Sequence, residues 1–283
     1  MRNNMKIPDA IVLLDSLGDL QSDNTRPILV CGSHCGGNQE LAKHVKNCHV
    51  KAVFLNNAGV GKNEAGIRGL SHYEAENILA CAVDHNSAEI GIARDTWESG
   101  TISHSNTLAE ELGIEIGNSV QEAVAKIIKI IKPDSPTQKS KNHTSLNRDN
   151  NSSKDLKQQT QTQIDGVSIT VTDSITFLNK NNSGEIVVCG SHGGLSAGEY
   201  AQKHHVKAVF FNDAGIGKNN AGVKSLESLC DAGILACTVD CMSAEIFNGK
   251  DVLENGIITV CNQLAKDQNI KEKMTVKEAL NCI

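Results

Sequence analysis

The sequence predicts an α/β protein built as a tandem duplication of a small, parallel-sheet, Rossmann-like three-layer unit. Three observations carry that prediction: a long internal repeat, short apolar runs alternating with helix-length segments, and a scarcity of aromatic residues. KAVFLNNAGVGKNEAG (51–66) recurs as KAVFFNDAGIGKNNAG (207–222), and ILACAVDHNSAEI (78–90) recurs as ILACTVDCMSAEI (234–246). Upstream, VCGSHCGG (30–37) matches VCGSHGG (188–194), with Cys35 read as the extra residue, and Asp15-Ser16 aligns with Asp173-Ser174. The period is too long for a solenoid, and each unit is large enough for its own core.

Taken in order, the amino-terminal run ending at Asp15 reads as a first strand. It carries Asp9 and Asp15 and lacks a small-residue cleavage site, so it is not read as a signal peptide. ILVCGS, KAVFLNN and ILACAVD are short, apolar and bounded by Gly, Asn or Asp, as buried strands are. NQELAKHVKN and EAGIRGLSHYEAEN lie between them and are long enough for crossover helices, which predicts right-handed βαβ units on a parallel sheet. Aromatics make up 3% of the chain, so the cores must be Val, Ile, Leu and Ala, which suits such a sheet. Each unit ends in a helix signature, Ser119 with Glu122 and Thr275 with Glu278, in capping-box spacing. The expected layout is a first repeat at 1–131, a disordered linker at 132–163 and a second repeat at 164–283. The linker is Ser, Asn, Gln, Lys and Thr with almost no apolar content, so it cannot offset its ordering entropy. Such a tether, about 32 residues spanning roughly 30 Å, predicts pairing of the two repeats within one chain.

Composition excludes several classes. A formal charge of −6 with no basic stripe argues against nucleic acid, and no apolar run reaches membrane-helix length. The ten cysteines include no C-x-x-C pair and fall mostly in apolar runs, so a reduced, cytoplasmic chain is expected. Zinc is not favoured. Of Cys31, His34, Cys35, Cys48 and His49, Cys31 is read as a buried strand residue and Cys35 has no cysteine counterpart in the second repeat.

The shared polar motifs all fall at carboxyl ends of predicted strands, where open α/β sheets bind ligands. The first loop holds Ser33, His34, Gly36 and Gly37, matched by Ser191, His192, Gly193 and Gly194. Its glycines let backbone amides approach an anion or carbonyl, and its histidine is the candidate acid–base group. The second loop holds Asn56, Asn57 and Lys62, matched by Asn212, Asp213 and Lys218. It lacks the spacing of a nucleotide P-loop, and its lysines are read as anion clamps or as solvated side chains. The third holds Asp84, Ser87 and Glu89, matched by Asp240, Ser243 and Glu245. These carboxylates serve either acid–base chemistry or loop capping. Asn57 against Asp213 is the difference of greatest chemical consequence, since an amide cannot act as a base.

The expected catalytic set is therefore His34, His192, Asp213, Glu89 and Glu245, with the remaining loop residues binding ligand. The expected function is an enzyme acting on a small polar or anionic metabolite by acid–base chemistry, as a hydrolase or lyase. No cofactor is indicated. A non-catalytic ligand-sensing module and a purely structural pseudo-dimer are the alternatives.

Overall fold

A computed structural model describes residues 7–23, 26–131, 159–164 and 166–283. The first half runs β1 (Ile11–Leu14), β2 (Ile28–His34), α1 (Gln39–Asn47), β3 (Ala52–Asn56), α2 (Gly69–Ala75), β4 (Leu79–Val83), α3 (Ala93–Ser99), β5 (Ile102–Ser105), α4 (Thr107–Glu111) and α5 (Val120–Ile128). The second runs β6 (Gln159–Ile164), β7 (Val167–Thr172), β8 (Ile186–His192), α6 (Leu195–Lys203), β9 (Ala208–Asn212), α7 (Ser225–Asp231), β10 (Leu235–Val239), α8 (Gly249–Asn255), β11 (Ile258–Cys261), α9 (Gln263–Asp267) and α10 (Val276–Leu280).

Each half is a three-layer α/β/α unit on a mostly parallel sheet, ordered β1-β2-β3-β4-β5 and β11-β10-β9-β8-β7-β6. Alternation along the strands assigns the layers. Leu29, Cys31, Val53, Leu55, Ala80 and Ala82 face α1 and α2. Ile28, Val30, Phe54, Cys81 and Val83 face Trp97 of α3 and Val120 and Val124 of α5. The second half repeats the arrangement around Phe211 on one face and Phe210 on the other. Ser119–Glu122 and Thr275–Glu278 form complete capping boxes on α5 and α10.

Three expectations need correction. The sheets are mixed: β5 pairs antiparallel with β4, β11 with β10, and β6 with β7. The linker ends sooner than 163, because Gln159–Ile164 forms edge strand β6, pairing through backbone hydrogen bonds that need no apolar side chain. Residues 132–158 of the expected linker lie outside the described residues. The second crossover helix is short: Asn63 and Glu64 take left-handed φ values of 53° and 57°, residues 65–68 form turns, and α2 starts only at Gly69.

The strand order runs without the reversal that opens a ligand crevice in doubly wound sheets. Instead, the chain leaving β4 turns back over the sheet's carboxyl edge, where Gly91 N–H donates to Gly32 O and Ala93 N–H to Asp15 Oδ1. In the second half Phe247 N–H donates to Gly190 O and Gly249 N–H to Asp173 Oδ1. Among the described residues no helix is long and apolar enough to cross a membrane.

Candidate functional site

The carboxyl edges of the two sheets face each other, and most shared motif residues lie in that contact. Across it, Lys62 N–H donates to Cys241 O and Lys218 N–H to His85 O, both at 2.8 Å. Lys62 Nζ sits 2.9 Å from both oxygens of Asp251, and Lys218 Nζ 2.8 Å from both oxygens of Asp95. Glu245 accepts from Asn63 Nδ2 at 2.8 Å and Arg68 Nη1 at 3.1 Å; Glu89 accepts from Asn219 Nδ2 at 2.8 Å and Lys224 Nζ at 2.7 Å. Ala58, Ala65 and Ile90 pack on Ala214, Ala221 and Ile246 between them. Each contact has its reciprocal, the signature of an isologous interface, here within one chain.

This geometry accounts for residues expected to carry chemistry. Lys62 and Lys218 are ion-paired, so neither is a free anion clamp. The hydrogen bond from Arg68 does most to hold the Glu245 carboxyl below the usual range. On Glu89, burial pushes the carboxyl up, but the bonds from Asn219 and Lys224 outweigh it and leave it lowered. Asn56 Oδ1 accepts from Ala58 N–H while its amide donates to Ala88 O, and Asn212 does the same for Ala214 and Ala244. Asn57 Oδ1 accepts from Gly59 and His85 amides; Asp213 Oδ1 accepts from Gly215 and Cys241 amides. The amide and the carboxylate thus hold the same turn, and burial raises the Asp213 pKa. Asp84 and Asp240 cap the Asn86 and Met242 amides. Ser87 and Ser243 donate to the carbonyls of Asp84 and Asp240 and accept from Thr101 and Ile257 amides.

The first loop is different. Ser33, His34, Ser191 and His192 all line one cavity of about 390 Å³ between the halves. Irregular pairing places the histidines: residues 31–33 of β2 lie against Leu55 alone, and His34 then pairs with Asn56. β8 does the same before His192, which pairs with Asn212. Such a bulge re-aims the strand's last side chain. Cys35 N–H and Gly193 N–H make equivalent bonds to Asn56 O and Asn212 O, so the extra residues of the first loop are Gly37, with φ +148°, and Asn38, and not Cys35. Gly36 and Gly194, also equivalent, lead toward α1 and α6 against the carbonyls of Ala65 and Ala221.

Burial holds both imidazoles neutral at ordinary pH, lowering His34 to about 4 and His192 to about 3, with His34 contributing to the latter. Gly194 N–H donates to His192 Nδ1 at 3.0 Å. Nδ1 is therefore the unprotonated nitrogen, and Nε2 carries the proton as a donor. His34 Nδ1 is buried without a hydrogen-bond partner.

The halves differ most at this cavity. Phe247 stands where the first half has Gly91, and its ring lies 5.8 Å from that of His34 and 6.4 Å from that of Phe177. Tyr200 closes the wall by donating to Asp19 Oδ1 at 2.8 Å. Ser196, in the first turn of α6, completes the His192 side, and α6 starts on Gly194 with no capping side chain. Phe177, Ser196, Tyr200 and Phe247 do not repeat in the first half and were not signalled by the motifs. Their one cue is that three of the chain's eight aromatic residues gather here.

Among the described residues, Asp213, Asp240 and Cys241 are close enough together to hold a metal. Two amides already occupy Asp213 Oδ1, and burial followed by the Asp213 and Asp240 charges pushes the Cys241 thiol up to about 12, so these groups fit a metal poorly. No family model, curated protein or solved structure matches this chain.

Proposed function

We propose that this chain is an enzyme acting on a small polar or anionic metabolite in the cavity shared by its halves, as a hydrolase or lyase. The observation that supports this reading most directly is that the same histidine of each half, His34 and His192, lines one cavity. A neutral imidazole with its proton held on Nε2 by the Gly194 contact suits a general acid or a hydrogen-bond donor to a substrate oxygen. His34, whose buried Nδ1 lies beside Gly36 without a full hydrogen bond, takes the complementary role. The chemistry lies with the histidines, whereas Glu89, Glu245 and Asp213 act as supports of the loops behind them.

A structural pseudo-dimer is the second reading, favoured by the motif residues engaged in contacts between the halves. A metabolite screen on the intact chain, read by turnover and by thermal stabilisation, separates the two. Turnover that falls about 100-fold or more in His192→Ala, with the fold retained, is the expected result, in line with the usual worth of a general acid. Turnover unchanged in the His34→Ala, His192→Ala double variant removes the histidines from the mechanism. Stabilisation without turnover assigns a sensing role, and neither signal leaves the structural reading.

A further inference from the structure

The lining of the cavity restricts what it accepts. Among the described residues no Asp, Glu, Lys or Arg lines it. Carboxylates flank its walls: Asp15 and Asp173 directly precede the lining Ser16 and Ser174, and Asp19 receives the Tyr200 hydroxyl, whereas Lys43, beside the lining His44, is ion-paired to Glu40. A buried anion without a cation is costly, and flanking carboxylates add to that cost. The His192 side offers donors, Nε2–H of the ring and the first-turn amides of α6, which no intrahelical bond satisfies, beside the Ser191 and Ser196 hydroxyls. Opposite them stand apolar surfaces, with Phe177 and Phe247 meeting nearly edge to face at 76°.

Phe247 holds φ +60°, a left-handed conformation that disfavours a bulky side chain, at the position where the first half uses Gly91 with φ +84°. Strain of this kind persists where the surroundings over-determine it, and it points toward function. The aromatic ring makes the cavity one-sided. Donors lie around His192, and an aromatic wall lies against His34.

Building on the cavity as the working site, the geometry points to an uncharged, planar ring bearing a carbonyl oxygen as the ligand class. The ring lies against Phe247 and Phe177, and the oxygen accepts from His192. Phe247 is the residue that selects for the ring. This narrows the metabolite from polar or anionic to polar and neutral.

The test is ligand-observed NMR with the full chain and two pairs of probes, benzamide against benzoate and uracil against orotate. Each pair shares a ring and differs by a carboxylate. The expected result is that both neutral probes bind at least tenfold more tightly than their carboxylate partners. In Phe247→Gly, a substitution that suits the positive φ, affinity for the neutral probes falls about tenfold while acetamide, which has the carbonyl but no ring, is unaffected. Carboxylates binding as well as or better than the neutral probes overturns the inference. If His192→Ala abolishes that binding, the cavity stands as the site and only the ligand class is wrong. Binding by none of the four probes, or neutral binding that Phe247→Gly leaves unchanged, also overturns the inference, and the turnover screen then decides on the enzymatic reading independently.

Discussion

If the two halves are held by their crossed ion pairs, removing one pair must cost measurable stability, and Lys218 with Asp95 is the place to measure it. The ammonium lies 2.8 Å from both carboxylate oxygens, and the two side chains are 26% and 22% exposed. At an effective dielectric of about 20 and a charge separation of roughly 4 Å, the gross attraction is about 4 kcal/mol. Desolvation and side-chain ordering offset much of it. Exposed pairs retain roughly 0–1 kcal/mol, whereas close interfacial pairs retain about 1.5 kcal/mol or more. The partial burial places this pair between them, at a coupling of about 1–2 kcal/mol. The assay is a double-mutant cycle of Lys218→Met and Asp95→Asn on the intact chain, by urea unfolding. The pH dependence supplies a second check. Burial pushes the Asp95 carboxyl up, but the bonds from Lys218 and the Glu89 amide leave it below its ordinary value. Its contribution is therefore fully present above the unfolded pKa of about 3.9 and is lost as pH falls through the lowered folded value. A coupling energy below about 0.3 kcal/mol would refute the reasoning, because the pair would then be no more than a solvated surface contact.

Two further outcomes follow from the same structure. His34 and His192 have folded pKa values below the unfolded value of about 6.5, so the unfolded chain binds more protons and stability falls as pH drops below that point. Each contributes a slope of up to about 1.4 kcal/mol per pH unit, levelling off below about pH 3–4; thermal melts from pH 7 to 4 should show this loss, and it should shrink in the His34→Gln, His192→Gln double variant. Gly66→Ala and Gly222→Ala would each place a Cβ against a backbone oxygen, 2.1 Å from Asn57 O and 1.9 Å from Asp213 O. Each substitution should cost more than about 3 kcal/mol in urea unfolding or prevent soluble expression, and near-neutral behaviour would mean the turn relaxes freely.

The central strands were legible because burial on both faces demands short, nearly unbroken apolar runs such as AVFLN and LACAV. β5 and β11 were not, because Ile102–Ser105 and Ile258–Cys261 lie at an edge and mix polar with apolar residues. β6 was hidden entirely, since QTQTQI meets a neighbour on one side only. For the site, comparison of the two repeats singled out His34 and His192 for their place at the cavity. It also singled out Lys62, Lys218, Glu89 and Glu245, because two surfaces that touch each other through the same residues restrict those residues as firmly as a ligand does. Phe247, Phe177 and Ser196 escaped for the opposite reason. A search for what both halves keep passes over whatever makes one half different.

The paired backbone bonds from Lys62 to Cys241 and from Lys218 to His85 carry one more consequence. A seam stitched through main-chain atoms is indifferent to the side chains at the residues that supply its carbonyls. That is how His85-Asn86 can stand opposite Cys241-Met242 as matched positions while the join keeps its geometry. The exposed second position of each pair, Asn86 and Met242, is thus a place on the seam where chemistry can be altered in one half alone, and where a label or cross-linker can be installed without loosening what binds the halves together.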